Sequence, residues 1–311
     1  MTLSIDKTVF IINPKAGMGA TLKEWPRIQS LAKDRLGVFR THLTTGPGDA
    51  TLFTRESLLD GAECIVCVGG DGTLNEVVNG FMAEDGPIRS EAKLGFIPLG
   101  TGLDFIKCEM IPKEPAKALD LIARAHSKRI DLGRIRFKAS NGQSFYRYFH
   151  NITSIGLAGE VVERVNRNSK IFGGFISFIW GTLITIFVYK KKKIRLKVDD
   201  HFDEMINAWN VVVANGRYCG GGMCVAPEAS IDDGLFHITV IGDLSLMDVF
   251  RNLPKLYTGN ILNAIKVFPL IGKQVEAVSD EKVLLDVDGE QPGQLPVTIE
   301  IIPDVLSIVA A

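Results

Sequence analysis

"CIVCVGGDGTLNEVVNG", Cys64 to Gly80, decides how this chain is read. Cys64 to Val68 form an apolar run of the length of a buried strand. Gly69, Gly70, Asp71 and Gly72 make a turn, and Leu74, Val77, Val78 and Phe81 then recur at the spacing of one helix face. Glycines between a strand and a helix invite a phosphate, because bare amides and the helix N-terminus point at the anion. Asp71 stands among them, where its charge repels one. Thr73 and Glu76 have the spacing of a capping box, which would make this end of the helix structural. A cap does not account for three glycines around an aspartate, since a strand that only turns can use one.

The same alternation extends on both sides. "TVFIIN" (8–13) reads as a strand, "TLKEWPRIQSLAKDRL" (21–36) as a helix interrupted near Pro26, and "FRTHLTT" (39–45) as a strand, with a helical stretch from Asp49. "KLGFIPLG" (93–100) is a further strand and "PAKALDLIARAHS" (115–127) a further helix. This order predicts a parallel sheet with helices packed on it. After "RIDLGRIRF" (129–137), strand-like runs punctuated by Gly, Asn and Asp dominate: "SFYRYFHNITSIGL", "IRLKVDD", "AWNVVVANG", "LFHITVIG", "KVLLDVDGE" and "LPVTIEIIP". Helical stretches at 171–189 and 245–263 interrupt them. The expected fold is therefore an α/β N-terminal domain with a parallel sheet, residues 1–128, followed by an antiparallel β-sandwich domain, residues 129–311.

Three strands end in glycine-bearing turns: "NPKAGMGA" (13–20), "GGDGTLNE" (69–76) and "PLGTGLDF" (98–105). Open parallel sheets bind ligands beyond the C-terminal ends of their strands, so three such turns predict one crevice rich in amides and suited to a polyphosphate. There is no GxxxxGK[ST] and no clean GxGxxG after the first strand, which sets aside a Walker ATPase and a standard dinucleotide site. No GxSxG is present, and the five histidines form no HExxH.

Bulk properties narrow the partners. The net charge of −1 over 311 residues gives no general pull toward nucleic acid, and none is expected as a partner. The five cysteines are too few and scattered for a disulfide framework, and Cys64 and Cys67 fall on opposite faces of their strand. The N-terminus lacks the basic start and apolar run of a signal peptide, so a cytoplasmic location is expected. "IFGGFISFIWGTLITIFVY" (171–189) carries no charge and precedes four lysines, Lys190 to Lys193. A membrane span, a buried helix and a helix facing lipid or an apolar ligand all remain open for it.

"GGDGTLNEV", with "NPKAGMG" before it and "PLGTGLDF", "NGRYCGGGMCVAPEASIDDGLF" (215–236) and "LDVDGE" (285–290) after it, resembles the diacylglycerol kinase catalytic domain family, which includes sphingosine kinases and bacterial lipid kinases. The resemblance spans nearly the whole chain, in order. It implies a nucleotide-binding first domain, a lipid-substrate sandwich domain and ATP in the cleft between them. By motif it places Asn13, Thr44, Gly69, Gly70, Asp71, Gly72, Thr73, Leu74, Asn75, Thr101 and Asp104 at the nucleotide. It implies a Mg²⁺ site from the Asp233 carboxylate and the carbonyls of Ser230 and Leu235, and Glu290 as proton acceptor with Asp288 close by. Asp71 and Asp104 are further hard oxygen donors, direct or through water, and a metal there would turn Asp71's repulsion into attraction.

The function so implied is ATP-dependent transfer of the γ-phosphate to the hydroxyl of diacylglycerol or a related lipid alcohol. The lipid is expected to come from a membrane surface, with Lys190 to Lys193 meeting anionic headgroups and the enzyme peripheral to the membrane. Exposed sandwich strands leave a homodimer open. One position departs from the family: Leu103 stands where relatives carry Asn, and it has no side-chain hydrogen bond to offer. That departure keeps a non-catalytic nucleotide or lipid sensor as an alternative. An NAD kinase-like enzyme is the other, since it shares the GGDGT signature, although "PLGTGLDF" and "DVDGE" do not match its further motifs.

Overall fold

The computed structural model describes residues 7–109, 111–138, 142–168 and 174–310. The chain forms two compact units, Met1–Leu132 with Pro303–Ala311, and Gly133–Ile302. The first unit contains β1 (Thr8–Ile12), α1 (Ala20–Leu36), β2 (Arg40–Leu43), α2 (Asp49–Leu59), β3 (Cys64–Gly69), α3 (Asp71–Phe81), β4 (Lys93–Pro98) and α4 (Pro115–Arg124). Its strands run parallel in the order β2-β1-β3-β4. β1 and β3 are buried along their whole length, as central parallel strands covered on both faces must be.

α1 and α4 cover one face through Trp25, Ile28, Leu119 and Ile122, which pack with Cys64, Val66 and Val68. Cys67 takes the other face, where its thiol feels Asp71 and Glu76 of α3. The CxxC is thus divided by the sheet. Burial pushes the Cys64 thiol up to about 12 and Cys67 well above its ordinary value.

The strand β5 (Ser127–Lys138) carries the chain into the second unit. There β6 (Ser144–Phe149), β7 (Ile152–Gly156), α5 (Leu157–Asn168), α6 (Gly174–Val188), β8 (Lys192–Val198), β9 (Phe202–Ala208), β10 (Asn210–Ala214), β11 (Phe236–Ile241), α7 (Leu246–Tyr257), β12 (Val267–Gly272), β13 (Gln274–Val278) and β14 (Leu285–Val287) follow. β15 (Gln294–Val309) begins in this unit and ends in the first. One antiparallel sheet has the order β12-β11-β10-β7-β14. Facing it are β9-β8-β13-β15 and the hairpin of β5 with β6. Val211, Val213, Ile238 and Val240 of the first sheet meet Leu196, Val275, Val297 and Ile299 of the second in one core.

Several expectations change. The units divide at Leu132 and Gly133 rather than at residue 128, and the chain from Pro303 returns to the first unit, where Ser307 and Ile308 pair in parallel with Lys93 and Leu94. α1 is not interrupted at Pro26. Pro26 lies on the exposed side of the helix with Leu22, four residues before it, while Trp25 and Ile28 anchor the buried stripe. "SFYRYFHNITSIGL" is two strands, broken at His150 and Asn151, because β6 and β7 belong to different sheets. Of the apolar segment 171–189, residues 171–173 lie outside the described residues, and α6 covers the rest to Val188. No helix among the described residues is long and apolar enough to cross a membrane.

Gly133 shows how tightly the sandwich closes. A Cβ there would lie 2.1 Å from the Phe149 ring, which is fully buried and stacked on Phe236. Gly133→Ala is expected to cost about 1–3 kcal/mol through displacement of that ring. Urea denaturation checks it, and combining it with Phe149→Leu should cost less than the two single losses summed.

Candidate functional site

In the first unit, β3 closes on Gly69, Gly70 precedes the helix, and Asp71 to Asn75 open α3. The capping box is corrected here. The extended backbone of Gly70 lets the helix begin at Asp71, two residues before Thr73, and no side chain caps it. Thr73 instead accepts from Asn13 Nδ2 at 2.9 Å. Glu76 serves another helix, its Oε2 accepting the Ala50 N–H of α2 at 3.1 Å.

The second and third glycine turns touch. The Leu99 N–H donates to the Gly69 carbonyl at 2.7 Å, and a Cβ on Gly100 would lie only 2.5 Å from Gly70 Cα. Asp71 spans the same two turns, its carboxylate accepting the N–H groups of Asp104 and Phe105 at 3.3 and 3.4 Å. Asp104 is buried and paired with Lys107 Nζ at 2.6 Å. The structure therefore brings Asn13, Gly69 to Asn75 and Asp104 together, with Leu74 and Asn75 buried beneath. Thr101 is exposed, and Thr44 is buried with its N–H on the Ile12 carbonyl at 2.9 Å. An uncapped helix N-terminus beside bare glycines fits a polyphosphate, and a Cβ on Gly72 would meet nothing within 4 Å.

In the second unit, the 286–290 turn is held at three points. Asp288, with its side chain 2% exposed, accepts the N–H groups of His150, Asn151 and Ile152 at 3.0, 3.2 and 2.8 Å. Its Oδ2 also lies 2.9 Å from His150 Nδ1. Burial works to raise the Asp288 pKa, but His150 and the amide donors outweigh it and hold the carboxyl below its ordinary value. Asp286 Oδ1 accepts the Gly289 N–H at 2.8 Å. Burial pushes this carboxyl up to about 7, against the Gly289 bond and with help from Asp288 and Glu290. Glu290 is half exposed, and its Oε2 accepts from Arg147 Nη1 at 2.7 Å. Of the two acids given catalytic roles here, Glu290 reaches solvent while Asp288 is committed to the backbone.

The third motif lies in the same unit. Asp233 Oδ1 accepts the Leu235 N–H at 3.0 Å and Oδ2 lies 3.0 Å from His237 Nε2, while Ser230 Oγ donates to Asp232 at 2.5 Å. One carboxylate with two main-chain carbonyls is an oxygen set chemically suited to Mg²⁺, water completing it. No group of three or more His, Cys, Asp or Glu among the described residues could hold a metal, so side-chain acids alone do not make the site.

The chain is similar to known proteins over most of its length. The diacylglycerol kinase catalytic domain model matches residues 7–135, and that of the YegS C-terminal NAD kinase beta sandwich-like domain matches residues 151–310. A diacylglycerol kinase of Staphylococcus carnosus is 30% identical over 92% of this chain and 89% of its own. A probable lipid kinase YegS-like protein of Xanthomonas axonopodis is 31% identical over 84% of this chain and 83% of its own. A crystal structure of a candidate diacylglycerol kinase from Bacillus anthracis superposes with a TM-score of 0.76 at 27% identity, covering 98% of this chain and 97% of that one. The chain belongs to the diacylglycerol kinase catalytic domain family. It is a lipid kinase, a phosphotransferase acting on a lipid.

Sequence reading missed Arg147, His150 and Asp286. The signal for Arg147 was present, as a cation at an inward position of an alternating strand. His150 and Asp286 become visible only once the 150–152 break and the 286–290 turn meet. Asp286 yields a stability prediction. Its folded pKa of about 7 lies above the ordinary value of 3.8, so its contribution is full below about 4 and is lost as pH rises through about 7. Asp286→Asn keeps an oxygen for Gly289 and removes the charge. It should gain on the parent as pH rises from 5 to 8, by on the order of 2 kcal/mol, as read by thermal melts across that range.

Proposed function

We propose that this lipid kinase uses ATP and transfers the γ-phosphate to the hydroxyl of diacylglycerol or a related lipid alcohol. The observation that carries the reading is Glu290, a carboxylate on a rigid turn with one oxygen held by Arg147 and the other facing no protein donor among the described residues. ATP with a divalent cation supplies the transferable phosphoryl group and neutralises its charge. The amides at the start of α3 and the bare Gly70 and Gly100 would position the phosphates. Asp71 and Asp104 would meet the metal directly or through water, and Asp233 with the carbonyls of Ser230 and Leu235 would hold Mg²⁺. Thr44, Thr101 and Asn13 would border the nucleotide. Glu290 would hold the proton given up by the acceptor hydroxyl, and Asp288 would act as a positioning residue that fixes the turn.

The lipid is taken, in this reading, from the membrane surface by an enzyme of the cytoplasm. The four lysines after α6 do not act as one free patch. Lys191 pairs with Asp243, and Lys192 pairs with Glu281 at 3.3 Å, which leaves Lys190 and Lys193 without ion pairs among the described residues. Phe187 and Val188 at the end of α6 and Met247 at the start of α7 are each more than half exposed, and Phe187 stacks near Phe250 with ring centroids 5.3 Å apart. Apolar contact would therefore dominate over headgroup charge. A second copy would pair through β9 or β12, the outer strands of the sandwich.

Transfer of label from radioactive ATP into a total lipid extract identifies the acceptor. Glu290→Gln should lower kcat by about 10²–10⁴-fold with ATP binding intact by calorimetry. Asp71→Asn, which keeps an oxygen for only one of the Asp104 and Phe105 amides, should still fold by thermal melting and cut Mg·ATP-dependent turnover by orders of magnitude. Near-normal turnover in both variants refutes the assignment. Phe187→Ser should weaken partitioning onto phosphatidylglycerol vesicles more than Lys190→Ala does, and the loss should persist at high salt.

A further inference from the structure

We propose that Arg147 is the positioning residue for Glu290, aiming its unbonded carboxylate oxygen at the acceptor hydroxyl. The proposal rests on the assignment of Glu290 as proton acceptor. Its starting point is the register of the β5–β6 hairpin, in which Gly133 faces Phe149, Ile135 faces Arg147 and Phe137 faces Phe145. Ile135, Phe137 and Phe149 belong to the sandwich core, so this row looks inward. Arg147 is the one charged residue in it. Its side chain is 20% exposed, and a cation placed so is tolerated only when paired.

Among its contacts is a charge-assisted bond of 2.7 Å to Glu290 Oε2. The backbone at Glu290 is already fixed. Its N–H donates to the Val287 carbonyl at 3.1 Å, and its own carbonyl accepts the Val287 N–H at 2.8 Å. Asp286 and Asp288 hold the rest of the turn, and a Cβ on nearby Gly293 would lie 2.6 Å from both the Lys138 carbonyl and the Phe137 ring. With the main chain pinned, the remaining freedom at Glu290 is rotation of its side chain. Arg147 removes that freedom by taking Oε2, while Oε1 accepts from no protein donor among the described residues. A proton acceptor works when one lone pair is open and the rest of the group is fixed in a near-attack geometry. A salt bridge serving only stability would gain from engaging both oxygens, the forked pairing open to a guanidinium and a carboxylate.

The test is a double-mutant cycle on turnover with mixed micelles of diacylglycerol and ATP. Arg147→Met keeps an apolar stem in the row, and Arg147→Lys keeps the charge without the fork. Arg147→Met should lower kcat by about 10–100-fold and leave KM for both substrates within about twofold. Arg147→Lys should recover a substantial part of that loss. Arg147→Met combined with Glu290→Gln should be no slower than Glu290→Gln alone, because Arg147 acts through Glu290. Melting curves of each variant restrict the comparison to folded protein, and Arg147→Gln replaces Arg147→Met if the latter does not fold. Losses that multiply in the double variant, an unchanged kcat in Arg147→Met, or a rise in lipid KM alone would each overturn the proposal. An active parent with a fully active Glu290→Gln variant removes the base assignment itself, whereas an active parent with multiplying losses removes only the role of Arg147.

Discussion

The carboxylate of Asp288, almost wholly buried, ties together pieces of chain that would otherwise be independent. Residues 150–152 mark where the chain leaves β6, in one sheet, and enters β7, in the other. A break of that kind strands main-chain N–H groups that have lost their ladder partners, and leaving them bare inside the sandwich would cost about 1–3 kcal/mol each. Asp288 accepts three of them and faces the His150 ring as well. The same aspartate sits at φ 47° in the turn that presents Glu290. Placing a carboxylate there carries a desolvation penalty of several kcal/mol, which only a full set of donors offsets. The crossover between sheets and the acidic turn are thus one structure. Neither could shift without stranding the other's polar groups.

Asp71 does comparable work in the first unit. Its position among glycines suggested a metal-linked charge or a spare cap, and the structure gives it a third role. By accepting from Asp104 and Phe105 it links the turn after β3 to the turn after β4, which already touch where Gly70 meets Gly100. An acidic residue in the first turn also suits the positive end of α3. A structural bond and an electrostatic role toward a bound cation are compatible here, since a carboxylate offers about four acceptor directions and the two amide bonds are long, at 3.3 and 3.4 Å.

The first unit was largely legible from sequence because its signals are local. "TVFIIN" and "CIVCVGG" are apolar throughout, as strands covered on both faces must be, and Leu74, Val77, Val78 and Phe81 give the helix after them its buried stripe. The second unit was legible as a series of strands but not as a pattern of pairing. β13 at Gln274–Val278 alternates but is only five residues long, and β12 contains Pro269 and mixes exposed and buried positions, so neither announces itself. α5 was also missed, since its apolar face is short. At the site, the residues that stand in contiguous motifs were found, while Arg147 and His150 were not. Their meaning lies in side-chain contacts to a turn far along the chain, with Arg147 separated from Glu290 by 143 positions. Spacing along the chain cannot carry that information. The capping box failed for a related reason, because Thr73 and Glu76 have long-range partners in Asn13 and Ala50 that displace the local one.

Leu103 bears on whether the departure from the family motif disables the site. Its backbone is left-handed, φ 53°, a conformation in which Asn is enriched and a bulky side chain costs about 1–2 kcal/mol. The side chain is nevertheless buried, with Cδ2 only 3.3 Å from where a Cβ on Gly100 would lie. Burying a leucine is worth about 1.5–3 kcal/mol, enough to offset the backbone cost. The leucine therefore fills the space over the Gly70–Gly100 contact and points away from any ligand role. What Asn would add at this position is a side-chain hydrogen-bonding dipole. What Leu103 keeps is the left-handed turn itself, which sets the direction of the chain into Asp104 and Phe105 and so preserves the amides that Asp71 accepts. The link between the two turns survives the substitution, because it depends on the main-chain path at residue 103 and on the Asp71 carboxylate.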